Sequence, residues 1–126
     1  MALRTAMHAI GLRYRLHRKD LPGKPDIVMP GRMVAIFAHG CFWHRHEGCR
    51  FATTPSTRPE FWKDKFASNT GRDQKNVEQL LKLGWRVATV WECAIRRAGS
   101  SEAVARQIAE WLDVDTDRLD IGFNGV

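Results

Sequence analysis

The chain has no apolar run approaching the roughly 20 residues that cross a bilayer as a helix, and no apolar stretch of the export-signal kind near its N-terminus. A membrane helix and secretion are thereby disfavoured, and the cytoplasm is the expected compartment. Cysteine is scarce: three in 126 residues. An odd count in an apparently intracellular chain argues against a disulfide framework and leaves metal ligation or plain buried thiols. No internal repeat is visible. Acid is scarce early on, where Arg4, Arg13, Arg15, Arg18, Lys19, Lys24 and Arg32 meet only Asp20 and Asp26 before residue 33. The whole chain carries a net charge of +6, from 20 Lys and Arg against 14 Asp and Glu. A surface of that sign suits polyanions, nucleic acid first among them; the plainer alternative is a solvated basic face. Length, 44% apolar content and 27% charge fit one globular domain.

Periodicity supplies the elements. Residues 2–11 predict a helix with Leu3, Met7 and Ile10 on one face and Gly11 as its stop. Leu12 to His17 alternate as a half-buried strand. Leu21-Pro22-Gly23-Lys24-Pro25 is a turn, Asp26–Met29 a short strand, and Pro30-Gly31 a tight connection to the apolar strand 33–37. Continuous apolarity predicts a central strand covered on both faces. Residues 38–58 read as a long loop, which is usually functional or disordered. Thr57-Arg58-Pro59-Glu60 reads as a capping box with Thr57 as N-cap. The helix after it is expected to run to about Leu83, bent or split at Gly71, with Gly84 as its end. Residues 85–91 predict a strand and 101–112 a last amphipathic helix, while 113–126 is expected to be a flexible tail. The expected architecture is α/β: one mixed sheet with helices packed on it.

The loop is dense in ligand chemistry, in the run Phe37-Ala38-His39-Gly40-Cys41-Phe42-Trp43-His44-Arg45-His46-Glu47-Gly48-Cys49. Cys41, His46 and Cys49 lie close in sequence, and Cys93 ends a strand far downstream. Together they can close a tetrahedral zinc site of the Cys3His type, with no position left for substrate, which is the mark of a structural ion. His39 and His44 are rival ligands, and buried thiols without a metal are the plain alternative.

A second site starts at Pro25-Asp26. A carboxylate opening a strand, followed after a turn by an apolar strand, begins the PD-(D/E)xK nuclease pattern, in which Mg2+ holds phosphate and activates water. The acid and lysine usual on the next strand are missing: Ala38, His39 and Gly40 stand there. Ala38 can offer a metal only its carbonyl, so His39 and His44 would have to handle proton transfer, and an imidazole's ordinary pKa of about 6.5 suits that work. Phe42 and Trp43 in a polar loop, and Trp62 early in a helix, are costly to expose unless they stack on something; such side chains can wedge between base steps, or simply pack in a core.

Leu21–Asp26, Ile36–His44, Thr57–Trp62, Leu83–Val87 and Trp91-Glu92-Cys93 together resemble the very-short-patch repair (Vsr-type) DNA mismatch endonucleases, over roughly residues 1–97. The resemblance implies a restriction-endonuclease-like fold with a structural zinc loop. It implies an enzyme that nicks one DNA strand 5′ to the thymine of a T:G mismatch. Asp26 would bind catalytic Mg2+ with the Ala38 carbonyl, His44 would be the general base, and His39 a second catalytic group near the phosphate. Zn2+ would sit on Cys41, His46, Cys49 and Cys93, and Phe42, Trp43 and Trp62 would enter the DNA beside the mismatch. The chain departs from the family pattern in Ala38, often Thr or Val there, and its His46–Cys49 stretch is one residue longer than in some members. The family's N-terminal arm, with an acidic residue beside the active site, is expected to be missing.

The expectation is therefore a single endonuclease-like domain over 1–112, a monomer working on duplex DNA in a bacterial cell, nucleoid-associated when acting, with mismatch-repair proteins as candidate partners. A non-catalytic zinc-stapled DNA-binding module is the rival reading. A metal-dependent hydrolase of small phosphates is a weaker third, because that substrate needs neither a basic surface nor wedge aromatics.

Overall fold

The computed structural model describes residues 2–16, 18–46, 49, 52, 53, 55–96 and 100–122. Parts of three expected segments lie outside these: His17 of the first strand, five residues of the 38–58 loop, and 123–126 of the tail. The elements run α1 (Ala2–Ala9), β1 (Arg15–Leu16), β2 (Ile27–Met29), a 3-10 turn (Pro30–Arg32), β3 (Val34–His39), α2 (Pro59–Lys82), β4 (Arg86–Trp91), α3 (Glu92–Ile95), α4 (Ser100–Leu112) and β5 (Arg118–Ile121). One five-stranded mixed sheet carries them in the order β1-β2-β3-β4-β5. The β1–β2 and β2–β3 pairs are antiparallel, and β3–β4 and β4–β5 are parallel. The predicted mixed sheet with flanking helices is what the chain forms.

Side chains alternate between the two sheet faces, and the core divides accordingly. Ile27, Met29, Val34, Ile36, Ala88 and Val90 pack with Leu3 and Met7 of α1 and with Val104, Ile108 and Trp111 of α4. Val28, Ala35, Phe37 and Val87 pack on the other side with Leu80 of α2 and with Trp85. Central β3 is thus covered on both faces, as its unbroken apolarity predicted. Each fully buried aliphatic chain contributes about 1.5–3 kcal/mol. Of the predicted strand 12–17, residues 12–14 lie outside β1, because Leu12 instead joins the α1–α4 core and the Tyr14 hydroxyl bonds the Arg4 carbonyl at 3.0 Å.

The long helix α2 runs unbroken through Gly71, so of the two alternatives there, a bend or a split, the split does not occur. Its start also differs from the capping box. Arg58, in the left-handed region at φ 55°, is the N-cap and makes no side-chain cap bond; Pro59 takes the first helical position. Proline there has φ pre-set and no N–H to leave unsatisfied, which lets the helix begin without the Thr57 hydroxyl.

The flexible tail needs the larger correction. Residues 118–121 form β5, paired along β4 from Val87↔Arg118 to Val90↔Ile121. Half-buried Arg86 explains why the preceding turn is ordered. Its guanidinium donates to the carbonyls of Trp111 (2.7 Å), Leu112 (3.2 Å), Val114 (2.8 Å) and Thr116 (2.9 Å) and lies over the Trp111 ring at 4.3 Å. A cation satisfying the last carbonyls of a helix is favourable for both hydrogen bonding and the helix dipole. Here it also aims the chain back to the sheet edge.

Candidate active site and metal-ligand cluster

One end of the sheet collects the functional side chains, and the period of two decides which ones. Asp26 shares its face with Val28, His39 with Ala35 and Phe37, and Trp91 with Val87, so all three stand on the side covered by α2. Register places Asp120 opposite Thr89 on the same face. Gly23 lets the 21–25 turn approach α2: at φ 76°, a Cβ would lie 3.0 Å from both Asn76 and Phe37.

A cleft of about 210 Å³ has Asp26, Ala38, His39, His44 and Asp73 in its lining. The Ala38 N–H donates to Asp26 Oδ2 at 2.7 Å, which ties the carboxylate to the end of β3. His39 and His44 stack with ring centroids 3.9 Å apart and planes 5° from parallel. His44 Nδ1 lies 2.6 Å from Asp73 Oδ2. An ionised carboxylate can only accept, so Nδ1 carries the hydrogen and Nε2 is left to take a proton. His39 is held neutral to about pH 4, chiefly by burial and next by the neighbouring His44 and by Arg118, against the pull of Asp73. Ligand atoms of His39, His44 and Asp73 all lie within 4.8 Å of one another. The imidazole pair also walls a larger cleft of about 710 Å³ toward Thr89, Arg118 and Asp120.

Asp73 was not anticipated. It is one of several carboxylates along α2, and nothing local distinguishes it from Asp64 or Glu78; only the rotation of the helix against the sheet selects it.

Beside this open cleft is a closed cluster. One ligand atom each from Cys41, His46, Cys49 and Cys93 falls within 4.8 Å of the others. His46 Nδ1 lies 3.4 Å from Cys93 Sγ and 3.8 Å from Cys41 Sγ. A tetrahedral ion with Zn–S and Zn–N bonds of ordinary length would put such atoms about 3.5 Å apart. The donor set and spacing therefore fit an ion of this kind, and the cluster could hold a metal. Cys41 and Cys93 are buried. Burial is the main force pushing the Cys41 thiol up to about 12, with hydrogen bonds to Cys93 and Cys49 adding to it while a backbone bond at Cys93 opposes it; a cation among these sulfurs reverses that preference. Burial likewise lowers the His46 pKa, opposed by Asp120. The rival ligands lie apart from the thiols: His44 goes to Asp73 and His39 stacks on it, while His46 faces the sulfurs.

The aromatics named from the sequence converge. Phe42 meets Trp43 and Trp62 edge-on at 5.1 and 5.7 Å, and Trp43 lies 5.7 Å from Trp62. Trp43 is 47% exposed. Phe66, one helical turn after Trp62, underlies them at 5.2 Å from Phe42, and exposed Phe61 borders them. The Trp62–Phe66 spacing was a readable helical signal for Phe66. Arg45 braces the group, with its guanidinium 4.0 Å over the Phe66 ring and bonds to the Ala52 and Thr53 carbonyls at 3.0 and 2.8 Å.

A carboxylate and two imidazoles beside an apolar rim, on a basic mixed-sheet scaffold, define a candidate for phosphodiester hydrolysis on nucleic acid, and the known proteins that this chain is similar to are of that class. It is 50% identical over 109 residues to the type II nicking enzyme V.XorIIP of Xanthomonas oryzae pv. oryzae, covering 86% of this chain and 79% of that one. It is 43% identical over 104 residues to the DNA mismatch endonuclease Vsr of Escherichia coli, covering 81% and 66%, and 39% identical over 104 residues to the type II nicking enzyme V.NmeAIP of Neisseria meningitidis serogroup A, covering 82% and 74%. The family described as "DNA mismatch endonuclease Vsr" matches residues 1–50. The chain belongs to the Vsr family of DNA mismatch endonucleases. Among the described residues, no helix is long and apolar enough to cross a membrane.

Proposed function

We propose that the protein is a Mg2+-dependent, zinc-stabilised endonuclease of restriction-endonuclease-like, PD-(D/E)xK-derived fold that nicks one strand of duplex DNA 5′ to the thymine of a T:G mismatch. The observation that carries this reading is the single cleft shared by Asp26, Ala38, His39, His44 and Asp73. The Asp26 carboxylate and Ala38 carbonyl are hard oxygen donors, and a site with few protein ligands suits an ion that keeps most of its water. Magnesium, when bound, would supply charge for a phosphate oxygen and an acidified water. His44 takes a proton at Nε2 while Asp73 holds its tautomer and stabilises the imidazolium. Neutral His39, stacked on His44, stands beside the phosphate as a donor. Cys41, His46, Cys49 and Cys93 would hold a zinc ion that cross-links the loop without touching substrate.

Phe42, Trp43 and Trp62 form the wedge that enters beside the mismatch, where a weakly stacked pair is cheapest to open. Lys and Arg on phosphates supply most of the affinity, so binding weakens steeply with salt. In this reading the enzyme works as a monomer in the bacterial cytoplasm on nucleoid DNA, alongside mismatch-repair proteins.

The deciding experiment is a nicking assay on a T:G duplex with Mg2+, beside its T:A control. Cleavage of the T:G strand alone is expected. Equal cleavage of both would indicate a general nuclease, and tight binding without cleavage a DNA-binding module.

A further inference from the structure

His39 and His44 are stacked partners, but they are oriented in different ways. His44 has Asp73 at hydrogen-bond distance, whereas the His39 ring makes no side-chain hydrogen bond among the described residues. The final torsion of a histidine is broad and roughly two-fold, so the plane of His39 must be set by the rings that touch it. Those are Phe37 (5.6 Å), His44 (3.9 Å) and Trp91, whose ring lies 5.3 Å away at 73°.

Trp91 is itself constrained twice. Its other neighbour is His46, stacked at 4.3 Å and 9° from parallel. Its indole N–H donates to Asp120 Oδ1 at 2.9 Å, across from β4 to β5. Stacking sets the indole plane, and the hydrogen bond sets its rotation within that plane. A continuous run of rings, His44, His39, Trp91 and His46, thus connects the cleft to the cluster, and His46 ends it 3.4 Å from Cys93 Sγ. The partners come from β3, β4, β5 and the loop after β3, and the ladder that pairs His39 with Trp91 brings the first two side by side.

We propose that Trp91, held by Asp120, is a positioning residue that sets the plane of His39 and so couples the Cys–His cluster to the imidazole pair. Its role in the reaction rests on the nicking activity proposed above. Its role in geometry does not.

Zinc-loaded Asp120→Ala and Trp91→Phe proteins test this, because each removes one end of the indole bond while leaving every cluster ligand in place. Both are expected to lower kcat on the T:G duplex by about tenfold or more, as misplaced reacting groups do, with KM, zinc stoichiometry and melting temperature retained. Asp120→Asn keeps an acceptor for the indole N–H and should restore the rate. Imidazole NMR of the DNA-free, magnesium-free proteins should show the His39 and His44 ring resonances displaced in Asp120→Ala and returned in Asp120→Asn. Unmoved ring resonances would overturn the proposal, as would a rate loss that follows zinc loss in every variant. If the wild-type protein nicks nothing, the activity reading fails instead, and the ring resonances alone decide this one.

Discussion

The residues from His39 to Cys49 feed two clusters that are built on opposite terms. Cys41, His46, Cys49 and Cys93 point at one another and close a sphere of sulfur and imidazole, with two of the thiols buried. Asp26, His39, His44 and Asp73 face a cleft of about 210 Å³ instead, offering oxygen and imidazole to whatever enters. In the reading proposed above, the first arrangement holds an ion and the second reacts. Neighbouring side chains separate into these roles because Cys41 and His46 turn toward the end of β4, while His44 turns toward α2 and Asp73. Stability should therefore reside in one cluster and rate in the other.

Asp26→Ala should break that division most visibly if it is wrong. The expected result is a loss of nicking of about 10⁴-fold, beyond most assays, because ion binding and proton transfer fail together. Circular dichroism and melting temperature should stay as in the parent. A melting temperature lowered as far as by loss of a thiol would place Asp26 on the structural side.

Asp73→Asn ranks next, with a fall in kcat on the order of 10²-fold at unchanged KM. An amide can turn its NH2 toward His44 Nδ1, which then keeps its hydrogen on Nε2 and cannot accept a proton there. A single-turnover rate equal to the parent's would remove Asp73 from the chemistry.

Cys93→Ser sharpens the other side. Zinc stoichiometry, measured by mass spectrometry under native conditions, should drop below one per chain, and the melting temperature should fall by about 10 °C, which for a chain of this size corresponds to about 2–3 kcal/mol. A strong chelator added to the parent should reproduce that fall. Unchanged zinc content and melting temperature would leave the thiols as plain core.

Gly122→Ala is the smallest and most local of the four. A Cβ there would come within 2.6 Å of the His46 ring, so either the ring or β5 has to move. A loss of about 1 kcal/mol, read as a few degrees of melting temperature, is expected, with weaker zinc retention. Undiminished retention would show that β5 gives way instead of the ligand.

Much of the scaffold was legible beforehand. The apolar run in β3 predicts a strand covered twice, and the His-Gly-Cys-Phe-Trp-His segment carries ligands and imidazoles of both clusters, though not Asp73. The C-terminal stretch was misread because β5 has little apolar signal of its own: Arg118 and Asp120 alternate with Leu119 and Ile121, after a turn rich in acid. Its order comes from the ladder on β4 and from Arg86, which grips four carbonyls of residues distant in sequence. The start of α2 was misread for a different reason, since proline can open a helix without the cap that Thr57 offered.

Local chemistry and period were enough to indicate most of the elements, the mixed α/β class and a candidate Cys3His donor set, because these depend on neighbours in sequence and on the bonding habits of each residue type. Tertiary structure alone decided that Asp73 faces His44 and that Asp120 reaches Trp91. Those pairings depend on helix rotation and strand register, which are set by how whole faces pack and leave no mark in the residues around each partner.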